Sequence, residues 1–337
     1  MIHFFNIILS AILFGISPVL CKLIINDFST FTMSGLLYFG ASLSTLLTLK
    51  TNFNIYKQLN RNIILLILSG GILAPICLLA ALKKISAMNV SIWFNLEPVF
   101  TILIALLLFK EHLTRKSYVG VIGIFIALAM FTHIDFNIDN LINYMMIILA
   151  CLFYAIDNNL ASVIDSIKPS QLVFLKGFTA AIINLLLGIC FFKDMIFGLN
   201  ALYFMLIGFF SYGVSLILYI RASQNLGAIR AQLIFATSSI WGLIFSVWIF
   251  HEVLNLSQIL ATLLIMGSLY LIFKEKHGHS HWHESMIHTH FHVHADGHHQ
   301  HEHTGIFSFH THEHSHDAVM HSHEHISDIH HRHSHDL

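Results

Sequence analysis

The sequence predicts an all-α polytopic membrane protein: ten transmembrane helices as two inverted five-helix repeats, followed by a disordered C-terminal tail. Three observations carry this reading. The 337-residue chain is 56% hydrophobic and 10% charged, where a soluble domain has roughly 25% charged residues. Residues 1–276 hold ten long apolar stretches. Segments of the first half recur in the second at a fixed offset.

A transmembrane helix needs ~20 mostly apolar residues. Such stretches fall at 3–25, 31–49, 62–82, 88–109, 117–132, 141–163, 170–192, 201–220, 231–250 and 257–273. The first, in "MIHFFNIILSAILFGISPVLCKLII", has no basic residues ahead of its apolar run. That run is longer than a signal peptide's apolar core, so it reads as a retained span. The loops between spans are too short for a soluble domain.

Lys and Arg in the loops set the direction. With the N-terminus inside, the inside loops carry Lys50, Lys57, Arg61, Lys110, Arg115, Lys116, Lys168, Arg221, Arg230, Lys274 and Lys276. The outside loops carry only Lys83, Lys84 and Lys193. The expectation is a plasma-membrane protein, surrounded by lipid, with both termini in the cytoplasm.

The halves resemble each other. "FKEHLTRKSYVG" aligns with "FHEVLNLSQILA", placing Glu111 opposite Glu252, an offset of 141. "LEPVFTILIALLLF" aligns with "TSSIWGLIFSVWIF" at the same offset. Five spans per copy is an odd number, so the second copy must enter the membrane the opposite way round. Inverted repeats are a transporter architecture, with the solute site near the midplane between the halves. The organisation expected is a first repeat at 1–135, a second at 136–276 and a tail at 277–337.

"NLEPVFTILIALLLFKEHLTRKSYVGVIGIFIALAM" resembles the end of an EamA repeat, and "SSIWGLIFSVWIFHEVLNLSQILATLLIMGSLYLI" resembles the end of a second copy. The family belongs to the drug/metabolite transporter superfamily. The resemblance covers about residues 5–273. It implies ten spans, no ATPase module and secondary transport, often export, of amino acids, metabolites or drugs. The second copy departs from the pattern, with Ser238-Ser239 where the first has Glu97-Pro98. The central carboxylate is therefore not duplicated.

A charge at bilayer depth is costly, so it should face the bundle interior and have a partner. Glu97 sits mid-span in "WFNLEPVF", next to Asn95. A lone carboxyl there is a candidate proton carrier. Pro98 frees a backbone carbonyl one turn back and should loosen the helix. Asp157 heads "DNN" with Asn158 and Asn159, late in one span, and Lys176 lies early in the next. Asp157 and Lys176 are about equally far from the turn between those spans, so they should meet as an ion pair. Glu97, Asn95, Asp157, Asn158, Asn159 and Lys176 are the candidate solute or coupling-ion site. The alternative is that these groups only fix helix packing; for Lys176 this is credible, because the family resemblance implies a basic residue at its position. Glu111 and Glu252 read as helix-end pairing groups, and Trp93 and Trp241 as packing or interfacial aromatics. Cys21, Cys77, Cys151 and Cys190 all lie in apolar stretches without C-x-x-C spacing, as small packing residues.

The tail is a different object. It holds 23 of the chain's 27 histidines, one Arg and eight acids. Their H-x-H spacing, mixed with Ser, Glu, Thr and Val, is unlike a purification tag. With little to bury, it should be disordered without a ligand. At an unperturbed pKa of ~6.5 its imidazoles are mostly neutral at pH 7 and free to coordinate. The candidate metal ligands are His277, His279, His281, His283, His288, His290, His292, His294, His312, His314, His316, His321, His323, His325, His330, His331, His333 and His335. They suit Zn, Ni, Co or Cu; no cofactor is otherwise required. The remaining histidines, His3, His112, His133 and His251, fall at span ends. "HEHSH" at 312–316 matches a zinc-protease pattern, but that motif needs an ordered helix, and here H and E simply abound.

No Walker motif or nucleophile elbow occurs, so an enzyme is not expected, nor a nucleic-acid partner. Three functions remain open. One is an exporter-type secondary transporter linked to divalent transition metals through a cytoplasmic tail. Another is an exporter of a small organic metabolite or amino acid with a non-essential tail. The third, of another class, is a membrane-anchored metal buffer or sensor.

Overall fold

The computed structural model describes residues 2–46, 59–109, 115–131, 138–164, 167–194, 196, 198–226, 228–252, 254–273, 277–283, 286–293, 309–316 and 319–325. Lys50, Lys57, Lys110, Glu111, His112, His133, Lys274, Lys276, His294, His330, His331, His333 and His335 lie outside the described residues.

The first half runs through α1 (Ile2–Gly15), α2 (Ser17–Leu23), α3 (Thr30–Thr45), α4 (Arg61–Leu66), a π-helical turn at Ile67–Leu73, α5 (Ala74–Lys84), α6 (Ala87–Trp93), α7 (Leu96–Phe109) and α8 (Arg115–Phe131). The second runs through α9 (Ile138–Val163), α10 (Pro169–Phe192), α11 (Leu199–Ile207), a π-helical turn at Gly208–Val214, α12 (Ser215–Leu226), α13 (Ala228–Phe235), α14 (Ser238–Phe250) and α15 (Leu256–Phe273). Local chemistry marks several starts. The Ser29, Asn60 and Ser86 side chains accept from the backbone N–H three residues on, capping α3, α4 and α6. Pro169 opens α10, where its missing N–H costs nothing.

Six helical stretches are long and apolar enough to cross a membrane: 3–23, 61–84, 87–105, 141–163, 169–192 and 199–223. Shorter apolar helices lie at 118–127, 238–250 and 259–268. By length alone the described helices therefore give six crossings, and the expected ten are not reached. The run read as a span at 231–250 falls short because it is broken into α13 and α14, and a like break interrupts the 87–105 crossing without removing it. The clearest break is Phe94–Asn95, between α6 and α7, one turn before Pro98. The proline ring cannot accommodate the carbonyl four residues earlier. The Phe94 carbonyl freed in this way accepts from the Glu97 N–H at 3.0 Å, and Asn95 Nδ2 donates to the Ile92 carbonyl at 2.8 Å. The second half breaks at the matching place, Ala236–Thr237, without a proline. There the Thr237 and Ser239 hydroxyls donate to the Ile234 and Ala236 carbonyls at 2.7 and 2.9 Å. Both breaks keep their freed backbone groups satisfied, as burial requires.

The duplication is visible in the packing. α1 packs on α12 and α14, while its counterpart α9 packs on α5 and α7. The equivalent helices α3 and α10 pack on each other, as do α8 and α15. Such reciprocity is what a two-fold relation between copies produces. The two π-helical turns also fall at the same repeat offset, 67–73 and 208–214. α3 is nearly enclosed, and glycines let neighbours approach it: a Cβ on Gly208 would collide with the Leu37 carbonyl.

The tail has four extended segments. β1 (His277–His283) pairs antiparallel with β4 (Val319–His325), and β2 (Met286–Val293) with β3 (Phe309–His316). The H-x-H alternation of these segments has the strand period of two. Thr, Val, Phe and Trp at intervening positions suit extended backbone. The H-E-x-x-H match thus starts on a strand, not a helix.

Candidate functional site

Most of the sequence candidates converge in the interior of the helical body. Asn95, Glu97, Asp157, Asn158, Asn159 and Lys176 are all buried. Asp157 projects from α9 and Lys176 from α10, and they form the expected ion pair at 2.5 Å. Asp157 Oδ2 takes this contact, whereas its buried Oδ1 has no partner. The Lys176 ammonium also lies 5.9 Å from the ring centre of Tyr38 on α3, within cation–π reach. Behind Asp157 stands the first π-helical turn. A Cβ on Gly70 would run into the Asp157 carboxyl, so only glycine lets the backbone come this close. The Tyr38 hydroxyl donates to the Gly70 carbonyl, and Asn184 Nδ2 donates to that of Gly71 at 3.2 Å.

Glu97 anchors a second cluster. Its Oε1 accepts from Asn158 Nδ2 at 2.5 Å and from Gln232 Nε2 at 3.0 Å. Gln232 Oε1 accepts from the Tyr219 hydroxyl at 2.7 Å and from Asn158 Nδ2 at 3.3 Å. The network therefore ties α7 of the first half to α9, α12 and α13 of the second. The neighbouring polar candidates hold backbone. Asn159 Nδ2 donates to the Thr101 and Ala155 carbonyls at 3.1 and 2.9 Å. Asn95 Oδ1 accepts from the Ser239 hydroxyl at 2.7 Å, joining the two broken helices.

Because Asn158 follows Asp157 on α9, the two clusters abut. They meet at a narrow crevice lined by Asp157, Asn158, Lys176, Tyr219 and apolar side chains including Leu172 and Leu216. Its interior has about 10 Å³ for water, roughly one molecule's worth. An organic ligand needs ~300 Å³ or more, so solute entry requires the helices to part.

The site is one-sided. Shifting Asp157, Lys176 and Gln232 back by the repeat offset gives Ile16, Gly35 and Ser91, and shifting Glu97 forward gives Ser238. Neither charged group of the ion pair, nor Glu97, has a charged counterpart.

Sequence reasoning missed Gln232, Tyr219, Tyr38 and Gly70. A polar residue amid "AIRAQLIF" and tyrosines in apolar helices were the available signals, and neither is specific. Other residues behave as packing groups. The Trp93 ring lies 5.0 Å from Tyr144, and Trp241 lies 6.5 Å from Phe245. Glu252 accepts from the Ser246 hydroxyl at 2.9 Å near the end of α14. The four cysteines carry no disulfide. Among the described residues, no group of three or more His, Cys, Asp or Glu is assembled for a metal ion.

Comparison with known proteins agrees with this architecture. The EamA-like transporter family matches twice, at residues 1–132 and 141–274. An uncharacterized transporter from Methanothermobacter thermautotrophicus is 26% identical over 300 residues, covering 80% of this chain and 85% of that protein. A protein crystal structure shares the fold with a TM-score of 0.61 at 14% identity, covering 80% of this chain and 97% of the other. Two family matches, one on each half, span most of the chain: it belongs to the EamA-like transporter family and is a multi-pass membrane transporter.

Proposed function

We propose that this transporter is a secondary exporter whose solute and coupling-ion site is built from Glu97, Asn95, Asp157, Asn158, Asn159 and Lys176. Its histidine-rich tail is a cytoplasmic arm that links export to divalent transition metals. The protein sits in the plasma membrane with both termini inside.

The observation that carries the site is the unpartnered, buried Asp157 Oδ1 beside a crevice shared with Lys176. A buried acceptor without a partner costs roughly 1–3 kcal/mol, a cost that a bound solute would relieve. The Lys176 ammonium beside that carboxylate repels a bare metal dication, which favours an organic solute in the membrane and leaves metal to the tail. Glu97 supplies the coupling group: it joins helices of both halves, so protonating it weakens the bonds that hold them together. Export is the direction that the EamA resemblance suggests, and the loop charges favour a cytoplasmic tail, where it senses what the cell accumulates.

The test is metal and metabolite accumulation in cells with and without the protein, repeated with a chain ending at Lys276. Lower cellular solute in both forms, with metal dependence only in the full chain, is expected. Export that vanishes with the tail would instead make metal the cargo.

A further inference from the structure

The hydrogen bonds around Glu97 carry an inference that rests on the reading of Glu97 as the coupling group. Glu97 does not itself line the crevice, whereas Asn158 and Tyr219 do. Asn158 touches Glu97 directly. Tyr219 reaches it in two steps: its hydroxyl donates to Gln232 Oε1 at 2.7 Å, and Gln232 Nε2 donates to Glu97 Oε1 at 3.0 Å. All three side chains are buried, so these bonds act with little competition from water.

A glutamine amide has an acceptor at one end and a donor at the other, on nearly the same shape. Only the donor end steadies a carboxylate. Two donors turn the Gln232 amide that way round, because the Tyr219 hydroxyl and Asn158 Nδ2 both point at Oε1, at 2.7 and 3.3 Å. Tyr219 is held in turn. Its ring lies 4.7 Å from Phe235, one turn beyond Gln232 on α13. The first repeat has nothing like this. Shifting Tyr219 and Gln232 back by the repeat offset gives Leu78 and Ser91, and the Ser91 hydroxyl donates to the Ala87 carbonyl of its own helix at 2.9 Å. One copy of the fold thus stands without a polar link at this place.

We propose that Tyr219 is a positioning residue for Glu97: it fixes the Gln232 amide that steadies the Glu97 carboxylate, and through its place on the crevice wall it connects that carboxylate to the solute. A solute with a hydrogen-bond acceptor draws the Tyr219 hydroxyl to itself. Gln232 Oε1 then loses its shorter bond, the hold of Nε2 on Glu97 loosens, and the protonated form of Glu97 gains. The linkage is reciprocal, so protonated Glu97 favours a solute with an acceptor at Tyr219. Among the described residues, Asp157 and Cys151 of α9 also lie within electrostatic reach of Glu97, and Lys176 of α10 pairs with Asp157. Tyr219→Phe leaves all of these in place and removes one hydroxyl.

Infrared difference titration of the full-length protein in detergent micelles tests this without a solute. The carbonyl band of protonated Glu97 is identified as the one that Glu97→Gln removes. Gln232→Leu deletes the donor and should move the pH midpoint of that band upward by roughly one unit. Tyr219→Phe should move it the same way by less, and the double variant no further than Gln232→Leu. If Gln232→Leu does not fold, Tyr219→Phe decides alone, since it keeps the ring against Phe235. A midpoint unchanged in Tyr219→Phe, or shifts that add in the double variant, would overturn the positioning role while leaving Glu97 as the coupling group. No titrating band lost in Glu97→Gln would overturn the coupling reading as well.

Discussion

Removing one partner of the Asp157–Lys176 pair leaves a buried charge without compensation, which typically costs about 3–5 kcal/mol. The surroundings say where in that range each variant falls. In Asp157→Asn, the stranded Lys176 ammonium keeps the Tyr38 ring at 5.9 Å, and a cation–π contact of roughly 0.5–2 kcal/mol offsets part of the loss. In Lys176→Met, the Asp157 carboxylate loses the one ionic partner it has among the described residues, in a site backed by Gly70, with Oδ1 already unpartnered. The expected costs are therefore about 3 kcal/mol for Asp157→Asn and about 5 kcal/mol for Lys176→Met. The double variant buries no charge and should cost less than Lys176→Met alone. Reversible unfolding of the purified protein in mixed micelles of increasing SDS fraction measures all four forms. Losses that simply add in the double variant, or a milder effect of Lys176→Met, would refute this reasoning.

Four further outcomes follow. Glu97→Gln keeps shape but removes the charge that accepts from Asn158 and Gln232; transport should fall and lose its pH dependence, and a wild-type pH profile in vesicle flux would count against a coupling role. Gly70→Ala drives a methyl into the Asp157 carboxyl and should cost about 1–3 kcal/mol of unfolding free energy, whereas an unchanged midpoint in SDS would contradict the close approach. Burial tends to raise the Asp194 carboxyl, but hydrogen bonds from Ser29 and Thr32 and the charge of Lys83 outweigh it and hold it below the usual carboxylate range. Its contribution is complete above the unfolded value of ~3.9 and is lost as pH falls through the lower folded value, so Asp194→Asn should flatten the acid limb of a stability–pH curve, and an unaltered limb would refute it. A chain ending at Lys276 should insert and transport but lose metal-dependent regulation, and full-length metal binding should weaken as pH falls through ~6.5; regulation that persists without the tail would contradict its role.

Some of this was legible in the sequence because one rule governed it. Asp157 and Lys176 flank a hairpin at equal distances, and the cost of buried charge leaves them little choice but each other. Pro98 announced the break at Phe94–Asn95 by backbone sterics. The matching break at Ala236–Thr237 has no such marker and is held by Thr237 and Ser239 hydroxyls, common helix residues. Gln232 reaches Glu97, and Tyr219 reaches Gln232, only because α12 and α13 pack against helices of the other half, a tertiary fact that no local pattern encodes. The π-helical turns hide for the same reason: glycines in an apolar helix usually mark close packing. In the tail, the alternation of His277, His279 and His281 against His325, His323 and His321 has the strand period of two.

The central claim is that the buried network around Glu97, Asp157 and Lys176 moves a solute across the membrane. Its most direct test is efflux from right-side-out vesicles or proteoliposomes loaded with cytosolic metabolites, comparing wild type with Glu97→Gln at matched protein levels in the bilayer. The account predicts that wild type releases at least one solute faster than empty vesicles, and that Glu97→Gln, still folded and inserted, does not. Equal release by both proteins, with the same pH dependence, would contradict it.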